Sequence, residues 1–176
     1  WTNSINYSAK AQMFFPGGLN LTLSTQKIKP DNVTINMYDA GIYWQSHGFH
    51  IEAEYLYKHY SDDAFKAVHA VDAFASYDIP TSPKSVIRYV TPLIRYDYMS
   101  DHSDGMRYLD GKANEAGKLI VNDYQRSRLT SGVTLSLKKP FVSDIRVNYE
   151  KYFYKNNGVP RPSEKDKIVV EFMTRF

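Results

Sequence analysis

Trp1-Thr-Asn-Ser-Ile-Asn-Tyr-Ser-Ala-Lys-Ala-Gln-Met-Phe-Phe15 is the stretch that decides how the rest of the chain is read. Trp1, Ile5, Tyr7, Ala9, Ala11, Met13 and Phe15 share one parity, and Thr2, Ser4, Asn6, Ser8, Lys10 and Gln12 share the other. Alternate side chains of an extended backbone point to opposite faces, so a period of two over this length is a strand with one apolar and one wet face. Pro16-Gly17-Gly18 then turns the chain tightly.

The same rhythm continues. Leu19, Leu21 and Leu23 oppose Asn20, Thr22 and Ser24, and Lys29-Pro30-Asp31-Asn32 turns the chain into a third strand over 33–45, with an irregularity expected near Gly41. After Ser46-His47-Gly48, residues Phe49, Ile51, Ala53, Tyr55 and Tyr57 alternate with His50, Glu52, Glu54 and Lys58. A fifth segment over 66–79 ends at Pro80 and Pro83, and a sixth spans 86–99. Pro92 inside the sixth removes a ladder donor and predicts a bulge or local break. Asp101 to Asp123 is a long irregular stretch; strands then return around Leu129–Leu137, Ile145–Phe153 and Ile168–Phe176. The reading is all-β, about nine strands in a single domain over residues 1–176.

Composition agrees. Aromatics make up 15 % of the chain, with 15 Tyr, and the hydrophobic fraction is 43 %, yet the mean hydropathy is −0.49. Half-apolar strands produce that balance. No run approaches the roughly 20 apolar residues of a spanning helix, whereas a barrel strand needs only about 9–11. A net charge of +3, with Lys and Arg scattered among 19 acidic residues, lacks the basic footprint of a nucleic-acid binder, so no nucleic acid is expected as partner. The absence of cysteine suits an oxidising compartment without requiring one. Trp1 to Ser4 carry no signal-peptide pattern, so an export signal is expected to be removed already or to lie outside this sequence.

Three features favour a transmembrane antiparallel β-barrel over a soluble sandwich. The strands run to ten or fifteen residues, where soluble ones cluster near 5–6. Aromatics gather near strand ends (Phe14-Phe15, Tyr43-Trp44, Tyr55/Tyr57/Tyr60, Tyr96/Tyr98), as interfacial girdles require. The wet face carries charge in mid-strand, including Asp72, which a dry core rejects and a water-filled lumen accepts. The lumen-facing candidates are Lys10, Glu52, Glu54, Lys58, Arg95, Asp97, Arg126, Arg128, Arg146 and Glu150. Arg95 beside Asp97, and Arg146 near Glu150, read as a wall-stiffening ion-pair network more than as a filter.

Lys167-Ile-Val-Val-Glu-Phe-Met-Thr-Arg-Phe176 resembles the C-terminal signal of outer-membrane proteins, with Ile168, Val170, Phe172 and Phe176 as the alternating residues of a barrel-closing strand. Thr91-Pro-Leu-Ile-Arg-Tyr-Asp97 and the Gly41–Tyr55 hairpin resemble the phosphate-selective porin O and P family and its Bacteroidetes relatives. The resemblance implies a bacterial outer-membrane barrel of about sixteen strands, of which these nine are the C-terminal half, commonly trimeric. Such a barrel passes small polar or anionic solutes by diffusion. Anion specificity does not carry over, because a phosphate channel needs a dense Arg/Lys ladder. The implied partners are outer-membrane lipid and lipopolysaccharide, the barrel-assembly machinery and further copies in a homotrimer.

If the last strand descends to the periplasm, the connections near 16–18, 46–48, 80–85 and 139–143 lie there and are short, while those at 61–65, 101–123 and 155–166 face outside. No enzyme motif is present. His47, His50, His59, His69 and His102 lack HExxH spacing, no cofactor is implied, and the acidic stretch Asp101, Asp104, Asp110 lacks EF-hand spacing and reads as a solvated loop. His69, on the apolar parity, has no obvious serine partner. Two readings of function remain: a passive channel, and a non-conducting barrel that anchors or assembles with a partner.

Overall fold

A computed structural model describes residues 5–29, 34–61, 66–101, 125–138, 142–154 and 165–174. Its strands are β1 (Tyr7–Phe15), β2 (Leu19–Ile28), β3 (Ile35–Ser46), β4 (Phe49–Tyr60), β5 (Val68–Tyr77), β6 (Ile79–Pro80), β7 (Ile87–Met99), β8 (Arg126–Leu137), β9 (Ser143–Tyr154) and β10 (Lys167–Thr174). The described residues contain no α-helix. All strands belong to one antiparallel sheet in the order β1-β2-β3-β4-β5-β7-β8-β9-β10, with β6 pairing β7. Nine long strands are therefore present, as the alternation predicts, and the two-residue β6 is an addition. The sheet is open: β1 and β10 are its edges and do not pair with each other.

Among the described residues the sheet has no second layer. Among the described residues only Tyr60 and Val68 are buried apolar side chains. Of the large apolar side chains left exposed within strands, all but Phe14 and Met173 lie on one face, as the cross-strand pairs establish. That face is held laterally by rows such as Leu23–Ala40–Tyr55–Val71–Tyr98 and Val133–Val147–Val170. Such cross-strand contacts stabilise each pair by about 0.2–1 kcal/mol, and none removes the outer side of the face from its surroundings.

The short connections are built by backbone necessity. Gly17 and Gly18 sit at φ +83° and +81°, where L side chains are strained. A Cβ on Gly18 would collide with Gln45 O, the neighbour whose N–H donates to Gly18 O at 3.1 Å. Trp44 Nε1 donates to Gly17 O at 3.1 Å and pins the same turn. His47 and Gly48 both have positive φ (50° and 86°), the signature of a two-residue hairpin turn.

Two expected irregularities fall elsewhere. The β3 register runs unbroken through Gly41 on both sides, Thr22↔Gly41 and Gly41↔Glu54. Pro92 also keeps its register against Val133, and the register shift of β7 lies between Ile87 and Tyr89. Ser100 donates its N–H to His69 O at 2.8 Å, so by alternation the even residues of β7 direct their nitrogens toward β5 and β6. By the register Pro92 lies opposite Tyr77, and its missing N–H falls where the pairing lapses between β5 and β6. The break is therefore confined to the side of β7 that faces β5 and β6. Thr91 Oγ1 donates to Asp78 Oδ1 at 2.6 Å and closes the gap.

The register also drifts in one sense. Partners followed from Phe15 pass through Leu19, Trp44, Ile51, Ala75, Ile94, Ser131 and Tyr149 to Ile168. The row begins at the short-turn end of β1 and finishes six residues before Thr174 on β10. Six residues of rise over eight inter-strand steps correspond to a strand tilt of roughly 30° against the line of short turns.

Gly132 is where a side chain has no room: a Cβ would overlap Asn148 Oδ1 and lie 2.6 Å from Val147 O. At Gly41 the same atom would meet Ala53 O at 3.7 Å, an ordinary contact. Gly132→Ala is therefore expected to destabilise the folded protein by about 1–3 kcal/mol, and Gly41→Ala by less than about 0.5 kcal/mol. Denaturant unfolding midpoints in one detergent check this; equal shifts for the two variants would contradict it.

Candidate functional site: the charged face

The face opposite the apolar one carries nearly all the strand charge. Lys10, Glu52, Glu54, Lys58, Arg95, Asp97, Arg126, Arg128, Arg146 and Glu150 all lie on it, joined by Asp39, Asp72, Asp144, Lys167 and Glu171. On the apolar face the strands hold only Lys27 and Lys151, both near the long-connection end, apart from Arg88 in the β7 bulge.

Across β5 to β10 these charges form a chain of alternating sign. Asp72 pairs with Arg95, whose Nε donates to Asp97 Oδ1 at 2.9 Å. Asp97 Oδ2 accepts from Arg128 Nε at 2.8 Å, and Arg128 Nη1 reaches Glu150 Oε2 at 3.5 Å. Lys167 Nζ closes the chain on Glu150 at 3.4 Å, and Tyr152 OH donates to the same carboxylate at 2.8 Å. Each guanidinium serves two acceptors on different strands, which its planar fork allows and an ammonium does not. The ladder therefore cross-links five strands through side chains, in the same cross-strand direction as the backbone hydrogen bonds.

Of the two predicted neighbourhoods, one is observed and one differs. Arg95 does meet Asp97, but Arg146 pairs with Glu171 at 3.3 Å and with Thr134 Oγ1 at 3.2 Å, while Glu150 belongs to Arg128 and Lys167. Spacing within β9 placed Arg146 and Glu150 on one face, but they are four residues apart along a strand, whereas Glu171 is directly across from Arg146. Asp39, which the alternation of β3 did not single out, shares the face with Lys10, Glu52 and Glu54. Its carboxyl is within hydrogen-bonding reach of Glu54, and Ser24 Oγ donates to it at 3.3 Å. A depression of about 250 Å³ over Gly41 is lined by Lys10, Asp39, Glu52, Glu54 and Asp72.

The aromatic assignment is also refined. Phe15, Trp44, Tyr55, Tyr57, Tyr96 and Tyr98 lie on the apolar face, whereas Phe14, Tyr43 and Tyr60 lie on the charged one. At the short-turn end Trp44 stacks on Phe49 (6.1 Å) and Phe49 meets Tyr77 (4.4 Å). At the other end Tyr38 stacks on Tyr57 at 6.3 Å, and Tyr55 OH meets His69 Nδ1 at 2.7 Å. His69 thus has a tyrosine partner for its ring, and Ser100 Oγ accepts its backbone N–H at 2.9 Å. His50 contacts Glu52 at 2.6 Å on the charged face. Among the described residues no three metal-ligating side chains converge.

Asp101 departs from the solvated reading. It is 9 % exposed, pairs with Lys66 at 3.0 Å and accepts Gln125 N–H at 2.7 Å, so it fastens the base of its connection. Asp166 does the same before β10, where Lys151 Nζ at 2.7 Å and Tyr152 N–H at 2.9 Å hold its carboxyl below the usual carboxylate range. These contacts persist above that range and are lost as pH falls through the lowered pKa. Asp104, Asp110, His102 and Phe176 lie outside the described residues. Ile168, Val170 and Phe172 line the free edge of β10 at 70 %, 67 % and 67 % exposure.

No protein-family model matches the chain, and neither a curated protein nor a solved structure shows significant similarity to it.

The half-buried Arg128–Asp97 pair and the more open Arg146–Glu171 pair are expected to differ in strength. A double-mutant cycle with Arg128→Met and Asp97→Asn should give a coupling of about 1–3 kcal/mol. The corresponding Arg146→Met/Glu171→Gln cycle should give less than about 1 kcal/mol. Couplings in the reverse order would show that the ladder is not the stronger tie.

Proposed function

We propose that this sheet is a wall segment of a bacterial outer-membrane β-barrel, and that the barrel is a porin, a water-filled channel through which small polar solutes diffuse. The observation that carries the reading is the sorting of one single-layer sheet into an apolar face with exposed Ile, Val, Leu and aromatic side chains and an opposite face of mixed charge. A lipid-facing exterior and a wet interior demand that sorting; a soluble sheet would have to cover its apolar face with a second layer.

Geometry supports the same reading. Strands of 8 to 13 residues match the length of a tilted barrel strand, and the one-sense drift of register corresponds to a tilt near the ~35–45° that closure needs. Nine alternating strands leave β1 and β10 running in the same direction. Antiparallel closure then takes an odd number of further strands between them, and a second copy joined head to tail would supply only a parallel pair. Seven further strands would complete the sixteen of the porin family that the sequence resembles. On the charged face acidic and basic groups are close to balanced and largely paired, which favours passage of small polar solutes over phosphate selection.

The non-conducting alternative draws on the same ladder, which would stiffen an anchor as readily as a pore wall. Planar-bilayer recording of the purified, folded full-length protein separates the two. The porin reading expects discrete ohmic steps that persist at low voltage; folded protein that inserts without steps would leave only the anchor.

A further inference from the structure

The charged face is not uniformly polar. Beside the ladder, toward the long-connection end, Leu56, Ala70 and Met99 stand in one cross-strand row that runs on to Arg126. They floor a depression of about 440 Å³ whose rim carries Glu54 and Asp72 on one flank and Arg126 and Arg128 on the other. That size falls within the ~300–1,000 Å³ of small-molecule sites. An apolar strip of three strands is out of place on a surface that serves only to be wetted, because it gains nothing from water.

We propose that this depression is a solute-binding subsite for short zwitterionic peptides with aliphatic side chains. The proposal rests on the channel reading only in requiring that solute reach this face. Three features define the ligand. The aliphatic floor takes an apolar side chain. Glu54 forms no ion pair among the described residues, and Asp39 and Asp72 bring negative charge beside it that the nearby Lys10 offsets only in part. An ammonium placed there relieves carboxylate repulsion, which no neutral group does. On the far flank, Arg128 uses Nε and Nη1 on Asp97 and Glu150. A guanidinium has five N–H donors, so the contacts with Asp97, Glu150 and Tyr152 leave donors over for a carboxylate in the depression that Arg128 lines.

Spacing sets the length. Glu54, Asp72, Asp97 and Arg128 are successive cross-strand partners, so the two flanks are about 14 Å apart at the backbone. The flanking side chains rise from the same face, and that width less an ion-pair distance of about 3 Å at each end suits two or three residues at about 3.3–3.6 Å each. A free amino acid is too short to engage both flanks, and a simple inorganic anion would meet the arginines alone.

The test is titration of the full-length protein in detergent with leucyl-leucine, read by ligand-observed NMR. Leucyl-leucine is expected to bind in the low millimolar range, as transit demands. N-acetyl-leucyl-leucine amide, which lacks both charges, should bind at least fivefold more weakly. Glu54→Gln, nearly isosteric, should weaken leucyl-leucine by about fivefold while leaving the affinity for the capped peptide unchanged. Met99→Thr should weaken both peptides. Equal affinity for charged and capped peptides, or an unchanged affinity in Glu54→Gln, overturns the subsite. Because binding is read without current, protein that binds but does not conduct overturns the porin reading alone. Protein that conducts but does not bind overturns the subsite alone.

Discussion

An apolar sheet face that no described residue covers governs this molecule. Backbone hydrogen bonds tie the nine long strands edge to edge, but they do nothing for the Ile, Val, Leu and aromatic side chains that stand out from one side. In water that face would drive collapse or association, since burying apolar surface yields about 25 cal/mol per Å². In a bilayer it is already solvated. The proposed bilayer setting also accounts for the other face, where the ladder from Asp72 to Lys167 cross-links five strands while staying accessible.

The ladder and the apolar face do different jobs in the same sheet. Lateral backbone pairing fixes the order of strands, and alternation fixes which side each residue takes. The arginines add a tie that spans more than one neighbour at a time, because a single fork reaches carboxylates on two strands. The residues it uses are ones that a phosphate-selective wall would leave unpaired. Arg95 and Arg128 are both tied to Asp97, so neither presents a full unpaired charge to this face. Beside the ladder, Leu56, Ala70 and Met99 interrupt the polar face with an aliphatic strip.

Much of this was legible in the sequence, because a period of two is a property of each strand alone. All ten charged residues picked out by alternation fall on one face, and the nine long strands and short turns are where Pro, Gly and alternation place them. What escaped depends on how strands lie against each other. Arg146 meets Glu171 because β10 is its neighbour, and no spacing within β9 reveals that. Asp39 was missed because β3 places Ile35, Met37 and Tyr43 on its own parity, blurring the alternation that would have exposed it. Phe14, Tyr43 and Tyr60 were grouped with their aromatic neighbours by proximity in sequence, while the pleat sends them to the opposite side. Pro92 predicted a break, and the break appears only on the side of β7 that faces Tyr77, while the pairing with β8 continues.

The most direct test of the central claim is site-directed spin labelling along β9, with the protein reconstituted in lipid vesicles. Labels at Ile145, Val147 and Tyr149 are predicted to be accessible to oxygen and shielded from a water-soluble nickel complex. Labels at Arg146, Asn148 and Glu150 are predicted to show the reverse, giving two profiles of period two in antiphase. Nickel accessibility that is equal on both faces, or highest at 145, 147 and 149, would contradict a lipid-covered apolar face.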